Sequence, residues 1–309
     1  MTILARREFL AGVAAAPLAA SAARKDKMRI HLVCGALGVM ADQRQAIEYA
    51  QRFGFDAAEP NAQFLASLSD EENKKLLDEL KAKNLVFGNA GLSVDFRGDE
   101  TKFRGGMDNL PRLAKALERA GVTRVGTWLS PASDTLTYMQ NFEMHRKRLG
   151  EIGAVLGDHG QRLALEYVGP KTSWTARRYP FLHTMAETKD LIAATGRNNI
   201  GFLLDSWHWY CAGETEADLL SIKAEQVVSV DLNDAPAGIP VDQQKDSVRE
   251  LPAATGVIDV KAFLNALVKL GYDGPVRSEP FNAELRKLPP EQALQRTIDA
   301  MKKAFSLIS

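Results

Sequence analysis

The sequence predicts a single-domain (β/α)8 barrel. Eight short apolar runs of strand length alternate with eight longer amphipathic runs. Residues 24–309 are the right length for such a barrel. The last four predicted strands each finish on an acid: Glu166, Asp205, Asp231 and Glu279. An open doubly wound sheet is the rival, but it calls for a Gly-rich turn after the first strand. Cys34-Gly35-Ala36-Leu37-Gly38 is a poor version of one.

Met28–Val33 reads as the first strand and Asp42–Phe53 as the first helix. Phe55–Pro60 is a short strand carrying Glu59. Ser69–Lys83 is a helix, because Ser69-Asp-Glu-Glu72 makes a capping box and Leu76, Leu77 and Leu80 follow at helical spacing. Leu85–Leu92 is the third strand and Gly106–Ala120 the third helix. Thr123–Leu129 is the fourth strand, followed by a helix over roughly 135–156. Strand five is Arg162–Val168, with a helix over Phe181–Thr195. Asn199–Asp205 is a continuous apolar run, as suits a strand buried on both faces. Glu216–Lys223 is a helix, Gln226–Leu232 a strand and Val260–Leu270 a helix. Pro275–Glu279 and Pro290–Ser306 close the series. The one long irregular connection, residues 233–258, joins strands seven and eight, and loops that long in compact domains are usually functional.

The head of the chain is different. Ala5-Arg6-Arg7-Glu8-Phe9-Leu10 leads into an Ala-rich apolar stretch and then Ala20-Ser21-Ala22. A charged region, an apolar region and a small-residue cleavage site follow the order of an export signal. The arginine pair before x-Phe-Leu resembles a twin-arginine signal. Residues 1–23 are therefore expected to be removed, leaving a periplasmic protein. Formal net charge is zero, from 39 basic and 39 acidic side chains, which favours neither nucleic acid nor an anionic membrane surface. After the signal no segment has the ~20 apolar residues of a membrane span. Cys34 and Cys211 lack metal-type spacing and read as separate thiols.

In a barrel the carboxyl ends of all strands meet on one face. Neighbouring strands lie ~4.8 Å apart, so Glu166, Asp205, Asp231 and Glu279 would crowd one small volume. Like charges that close do not all stay ionised without partners. A divalent cation resolves the conflict, and carboxylate oxygens are hard ligands suited to one. Taken singly, each acid would also serve as a helix cap or ion-pair partner. Asp205 and His208 in particular read equally as a cap and a histidine packed between aromatic rings.

The chain resembles the xylose isomerase-like barrels of sugar isomerases and epimerases. The resemblance is strongest in Leu165-Glu166-Tyr, Leu204-Asp205-Ser-Trp-His208, Val230-Asp231-Leu-Asn-Asp234, and Gly271-Tyr-Asp-Gly-Pro275 through Ser278-Glu279-Pro280-Phe281. It implies a metal quartet of Glu166, Asp205, Asp231 and Glu279, with His208 on substrate or a metal-bound oxygen. Two departures stand out. The third ligand position usually holds His and here holds Asp231, which tilts preference toward Mn²⁺ or Mg²⁺ over Zn²⁺; alternatively Asp231 is no ligand and a water replaces it. Ketose epimerases of the family carry another Glu six residues after the strand-five Glu, and that position is Thr172.

The expected reaction is proton abstraction through a metal-stabilised enediolate, with Glu166 and Glu279 as the acid–base pair. Lys171, His208 and Arg249 are candidates for substrate oxygens, and Trp128 for stacking on a sugar ring. An unphosphorylated sugar or keto-sugar is the expected substrate, and an exposed helix face is available for a homodimer. Isomerisation or epimerisation leads. A lyase or dehydratase acting on a keto-sugar or 3-keto-glycoside uses the same first step. A non-catalytic periplasmic sugar-binding protein is a different class, which predicts binding without turnover. The DNA-repair branch of the same barrel needs many His ligands, and five scattered His do not supply them.

Overall fold

The computed structural model describes residues 28–309. The expected export signal over residues 1–23 lies outside them. Nine parallel strand segments form one sheet. They are β1 (Arg29–Leu32), β2 (Ala57–Ala58), β3 (Val86–Phe87), β4 (Ala90–Gly91) and β5 (Arg124–Trp128), with β7 (Arg162–Glu166), β9 (Ile200–Asp205), β10 (Val227–Asp231) and β11 (Pro275–Arg277). The sheet order is β3-β2-β1-β11-β10-β9-β7-β5-β4. Its two ends, β3 and β4, are successive pieces of the third predicted strand, interrupted at Gly88 and Asn89. The sheet therefore closes on itself, and the eight-stranded barrel is the observed fold.

A small antiparallel pair, β6 (Ala132–Ser133) with β8 (Tyr179–Pro180), ties together the loops that follow β5 and β7. Strands β9 and β10 are enclosed along their whole length, with all six positions of Ile200–Asp205 and all five of Val227–Asp231 buried. Helices pack outside with apolar faces inward; Val260–Leu270 buries Val260, Phe263, Leu264, Ala266, Leu267 and Val268. The capping box at Ser69 forms as expected.

Some boundaries differ. The third helix runs Glu100–Arg119, starting well before Gly106, because Asp99 caps it by accepting from Lys102 N. Gly105 and Gly106 are accommodated inside it, and Gly106 packs against Val94 where a side chain would crowd. Cys34 and Cys211 are free thiols. Among the described residues no helix is long and apolar enough to cross a membrane.

The 233–258 connection is held by one buried carboxylate. Asp234 accepts from the backbone N–H groups of Ala235, Thr255, Gly256 and Ile258 at 2.8–2.9 Å. This clamp fixes both ends of the loop and carries its middle, with Asp246 and Arg249, over the barrel mouth.

Candidate active site

Strand register builds the site. Asp205 of β9, Asp231 of β10 and Arg277 of β11 are direct neighbours across the sheet. Glu166 closes β7 opposite Trp128 of β5. Glu279 lies two residues beyond Arg277 and is held by its backbone N–H, which donates to Asn233 Oδ1 at 2.9 Å. As a result Glu166, Asp205, Asp231 and Glu279 each offer an oxygen, and these four atoms lie within 4.8 Å of one another. Glu166, Asp205 and His208 also form a group of this kind. A cavity of about 620 Å³ opens above them, lined by Glu166, His208, Arg249, Arg277, Glu279 and Trp128 among others.

Asp205 caps a helix and also stands in the acidic cluster. Its Oδ1 accepts from Trp207 N at 2.8 Å and so caps the short helix Ser206–Cys211. Its carboxylate is also a wall of the acidic cluster, where Asn233 Nδ2 donates to it at 3.1 Å. Asn233 is braced in turn by Ser206, whose hydroxyl donates to Asn233 O at 2.9 Å. The Asn thus couples the ends of β9, β10 and β11.

His208, one turn into that helix, is buried. Gly169 N donates to its Nδ1 at 3.2 Å. Its Nε2 lies 3.3 Å from Arg249 Nη2, a group that can only donate, and 3.7 Å from Glu166 Oε1. Burial lowers the imidazole's pKa, Asp205 opposes that shift and Arg249 adds to it, so the ring is neutral.

The electrostatics follow from enclosure. Burial, and then Glu279, Asp231 and Asp205, push the Glu166 carboxyl well above the usual range. Its Oε1 is buried without a hydrogen-bond partner. Burial raises Asp231 to about 7 against the pull of Arg277. Two guanidiniums lie among the acids. Arg249 Nη1 is 2.8 Å from Asp205 Oδ2 and 3.5 Å from Glu279 Oε2, while its Nη2 is 2.8 Å from Asp246 Oδ1. Arg277 grips Asp231 and touches Glu279 Oε1 at 3.1 Å. Burial opposes the charge on each, but the surrounding carboxylates outweigh it and hold both well above the ordinary arginine pKa.

Not every residue expected at the site reaches it. Lys171 stands on a short helix (Lys171–Trp174), half exposed, and pairs with Asp242 at 3.8 Å rather than lining the main cavity. It is the first residue of that helix, after Pro170. Arg249, a candidate for substrate oxygens, lines the cavity and is 1% exposed, because the Asp234 clamp folds its loop inward. Trp128 does line the cavity and is 46% exposed, with the Arg97 guanidinium 4.3 Å from its ring centroid. Thr172 faces the 233–258 loop, its hydroxyl donating to Gln244 O at 2.6 Å.

Four residues that matter here escaped sequence reasoning: Asn233, Asp246, Arg277 and Arg97. Two of them carried a signal. Asn233 lies two positions after Asp231, and Arg277 two before Glu279, so strand alternation places each pair on one face.

The chain is 26% identical over 283 residues to an inosose isomerase of Halalkalibacterium halodurans, covering 84% of this chain and 92% of that one. It is 25% identical over 256 residues to a 3-dehydroshikimate dehydratase of Pseudomonas aeruginosa, covering 82% of this chain but 38% of that longer protein. The crystal structure of the IolI protein with a bound zinc atom superposes with a TM-score of 0.74 at 20% identity, over 90% of this chain and 98% of that one, and supports the fold. The profile of the xylose isomerase-like TIM barrel family matches residues 47–304, and the chain belongs to that family.

Proposed function

We propose that the protein is a divalent-metal-dependent isomerase or epimerase of an unphosphorylated sugar or cyclic keto-polyol. One observation carries the reading: four carboxylates from the ends of β7, β9, β10 and β11 converge on one point at the floor of a cavity. The residues present fit a cation. Glu166 Oε1 is a buried oxygen with no partner, and the four carboxyl groups meet only two guanidiniums. Glu166, Asp205 and Glu279 would hold the ion, with Asp231 beside them. Bound there, a divalent ion supplies Lewis-acid polarisation of a carbonyl and its neighbouring hydroxyl. An all-oxygen set favours Mn²⁺ or Mg²⁺, whereas the zinc in the IolI structure keeps Zn²⁺ in the comparison.

The chain's own groups would do the proton work. Glu166 on β7 and Glu279 after β11 flank the cavity with β9 and β10 between them. One takes the proton next to the substrate carbonyl and the other returns it on the neighbouring carbon or the opposite face. His208 lines the cavity wall and would bind a substrate oxygen. The burial of Glu166, Asp205 and Asp231 keeps the floor of the cavity away from bulk water. The inosose isomerase likeness supports this substrate class.

Elimination is a second reading, favoured by the dehydratase likeness and by Thr172, which places no carboxylate where the related epimerases have one. The twin-arginine pattern supports export to the periplasm, where unphosphorylated substrates are available; cell fractionation of the full-length chain tests that placement.

Metal analysis of protein purified without chelator tests the reading. About one divalent ion per chain is expected in wild type and a large loss in Asp205→Asn; equal content in both removes its basis. Incubating the enzyme with inosose and other keto-polyols in D₂O then separates the two outcomes. Deuterium uptake with unchanged composition means isomerisation, and loss of water means elimination.

A further inference from the structure

Asp231 and Arg277 are paired residues on adjacent parallel strands, so both side chains enter the barrel at one level. Arg277 Nε lies 2.6 Å from Asp231 Oδ1 and Nη2 lies 2.7 Å from Oδ2. Both oxygens of one carboxylate are thus engaged by one guanidinium, in the bidentate geometry that Arg favours. Asp231 is fully buried, and the Arg277 side chain is 15% exposed at the cavity. Arg277 Nη1 donates to nothing among the described residues.

The other arginine behaves differently. Arg249 gives Asp205 a single nitrogen and divides its charge among Asp205, Asp246 and Glu279. Asp205 therefore keeps net negative charge. Glu166 Oε1 has no hydrogen-bond partner, so that oxygen is open to a cation. Asp231 and Arg277 instead form a nearly closed unit; among the described residues its side-chain contact outward is the 3.1 Å one from Nη2 to Glu279. A guanidinium is permanently protonated and cannot ligate. A cation that drew on Asp231 would have to sit against that fixed positive charge.

We propose that Asp231 is not a metal ligand. Glu166, Asp205 and Glu279 hold the ion, and Asp231 fixes Arg277 as a cationic wall of the cavity beside it. This rests on the metal-dependent reading above, and the following test separates the two.

Mn²⁺ alone is titrated into metal-free wild type, Asp231→Asn/Arg277→Met and Arg277→Met, with bound ion counted by electron paramagnetic resonance. The double variant removes a neutral pair, a change that is often tolerated in a buried ion pair. It is expected to bind Mn²⁺ within about threefold of wild type. Arg277→Met frees a buried carboxylate next to the ion and is expected to bind at least tenfold tighter. A double variant at least tenfold weaker than wild type, or an Arg277→Met no tighter than wild type, overturns the proposal. Folded wild type that binds no Mn²⁺ overturns the metal-dependent reading itself, and this inference with it. Should either variant fail to fold, anomalous diffraction from wild-type crystals with Mn²⁺ decides. Asp231 oxygens beyond coordination distance, about 2.0–2.6 Å, with Arg277 still in place, support the proposal; an Asp231 oxygen within that distance overturns it.

Discussion

Arg249 Nη1 lies 2.8 Å from Asp205 Oδ2, with the two side chains 1% and 0% exposed. A charge pair this deep is costly to break from one side, because the partner remains buried and uncompensated. In metal-free protein Arg249→Met is expected to lose about 3–5 kcal/mol of stability. Urea denaturation checks this, and a loss under about 1 kcal/mol would mean that the pair behaves like a surface contact.

Glu166→Gln and Glu279→Gln keep the shape of each side chain but remove its capacity to accept a proton. Each is expected to lower turnover of the keto-polyol substrate by about 10²–10⁴. Deuterium wash-in from D₂O should be lost alongside. Variants that still exchange the substrate's proton at the wild-type rate would show that other groups carry it.

Glu214 accepts from the Tyr167 hydroxyl and, at 2.6 Å, from Met185 N, yet burial dominates and raises its carboxyl from 4.5 to about 7. The folded state therefore holds the proton more tightly than the unfolded chain. That contribution is complete below about 4.5 and is lost as pH rises through about 7. It amounts to about 3 kcal/mol at most. Glu214→Gln mimics the protonated form, so it should match wild type near pH 4.5 and be the more stable protein at pH 7.5. Equal stability differences at both pH values, read from urea midpoints, would refute the assignment.

Gly169 passes so close to the helix Ser206–Cys211 that a β-carbon there would overlap the His208 carbonyl and press on Ala212 N. Both obstacles are backbone and do not yield as a side-chain tip would. Gly169→Ala is expected to cost about 1–3 kcal/mol and to displace His208, whose Nδ1 accepts from Gly169 N. A crystal structure of the variant with His208 unmoved, or an unchanged melting temperature, would show that the contact relaxes without consequence.

The barrel was legible because its determinants are local and periodic. Apolar runs such as Ile200–Leu204 and amphipathic ones such as Val260–Leu270 announce their own conformation. Eight such units in succession leave few ways to close a sheet. The four strand-end acids were legible for the same reason: position along a strand, plus the rule that carboxyl ends converge, places them together. The third helix was placed late because a Gly pair reads as a break when the packing that demands it is out of view.

By itself, then, the sequence determined the repeat of strand and helix and the identity of the acids delivered to the barrel mouth. The tertiary structure decided how those acids are compensated. Arg249 arrives from a loop folded inward by Asp234, and Arg277 meets Asp231 only through the register of two strands far apart in the chain. Lys171, equally plausible on paper, turns away. The reason is physical: a carboxylate's position follows from the periodicity of its own strand, but its partner is chosen by distance and burial, which no local pattern encodes.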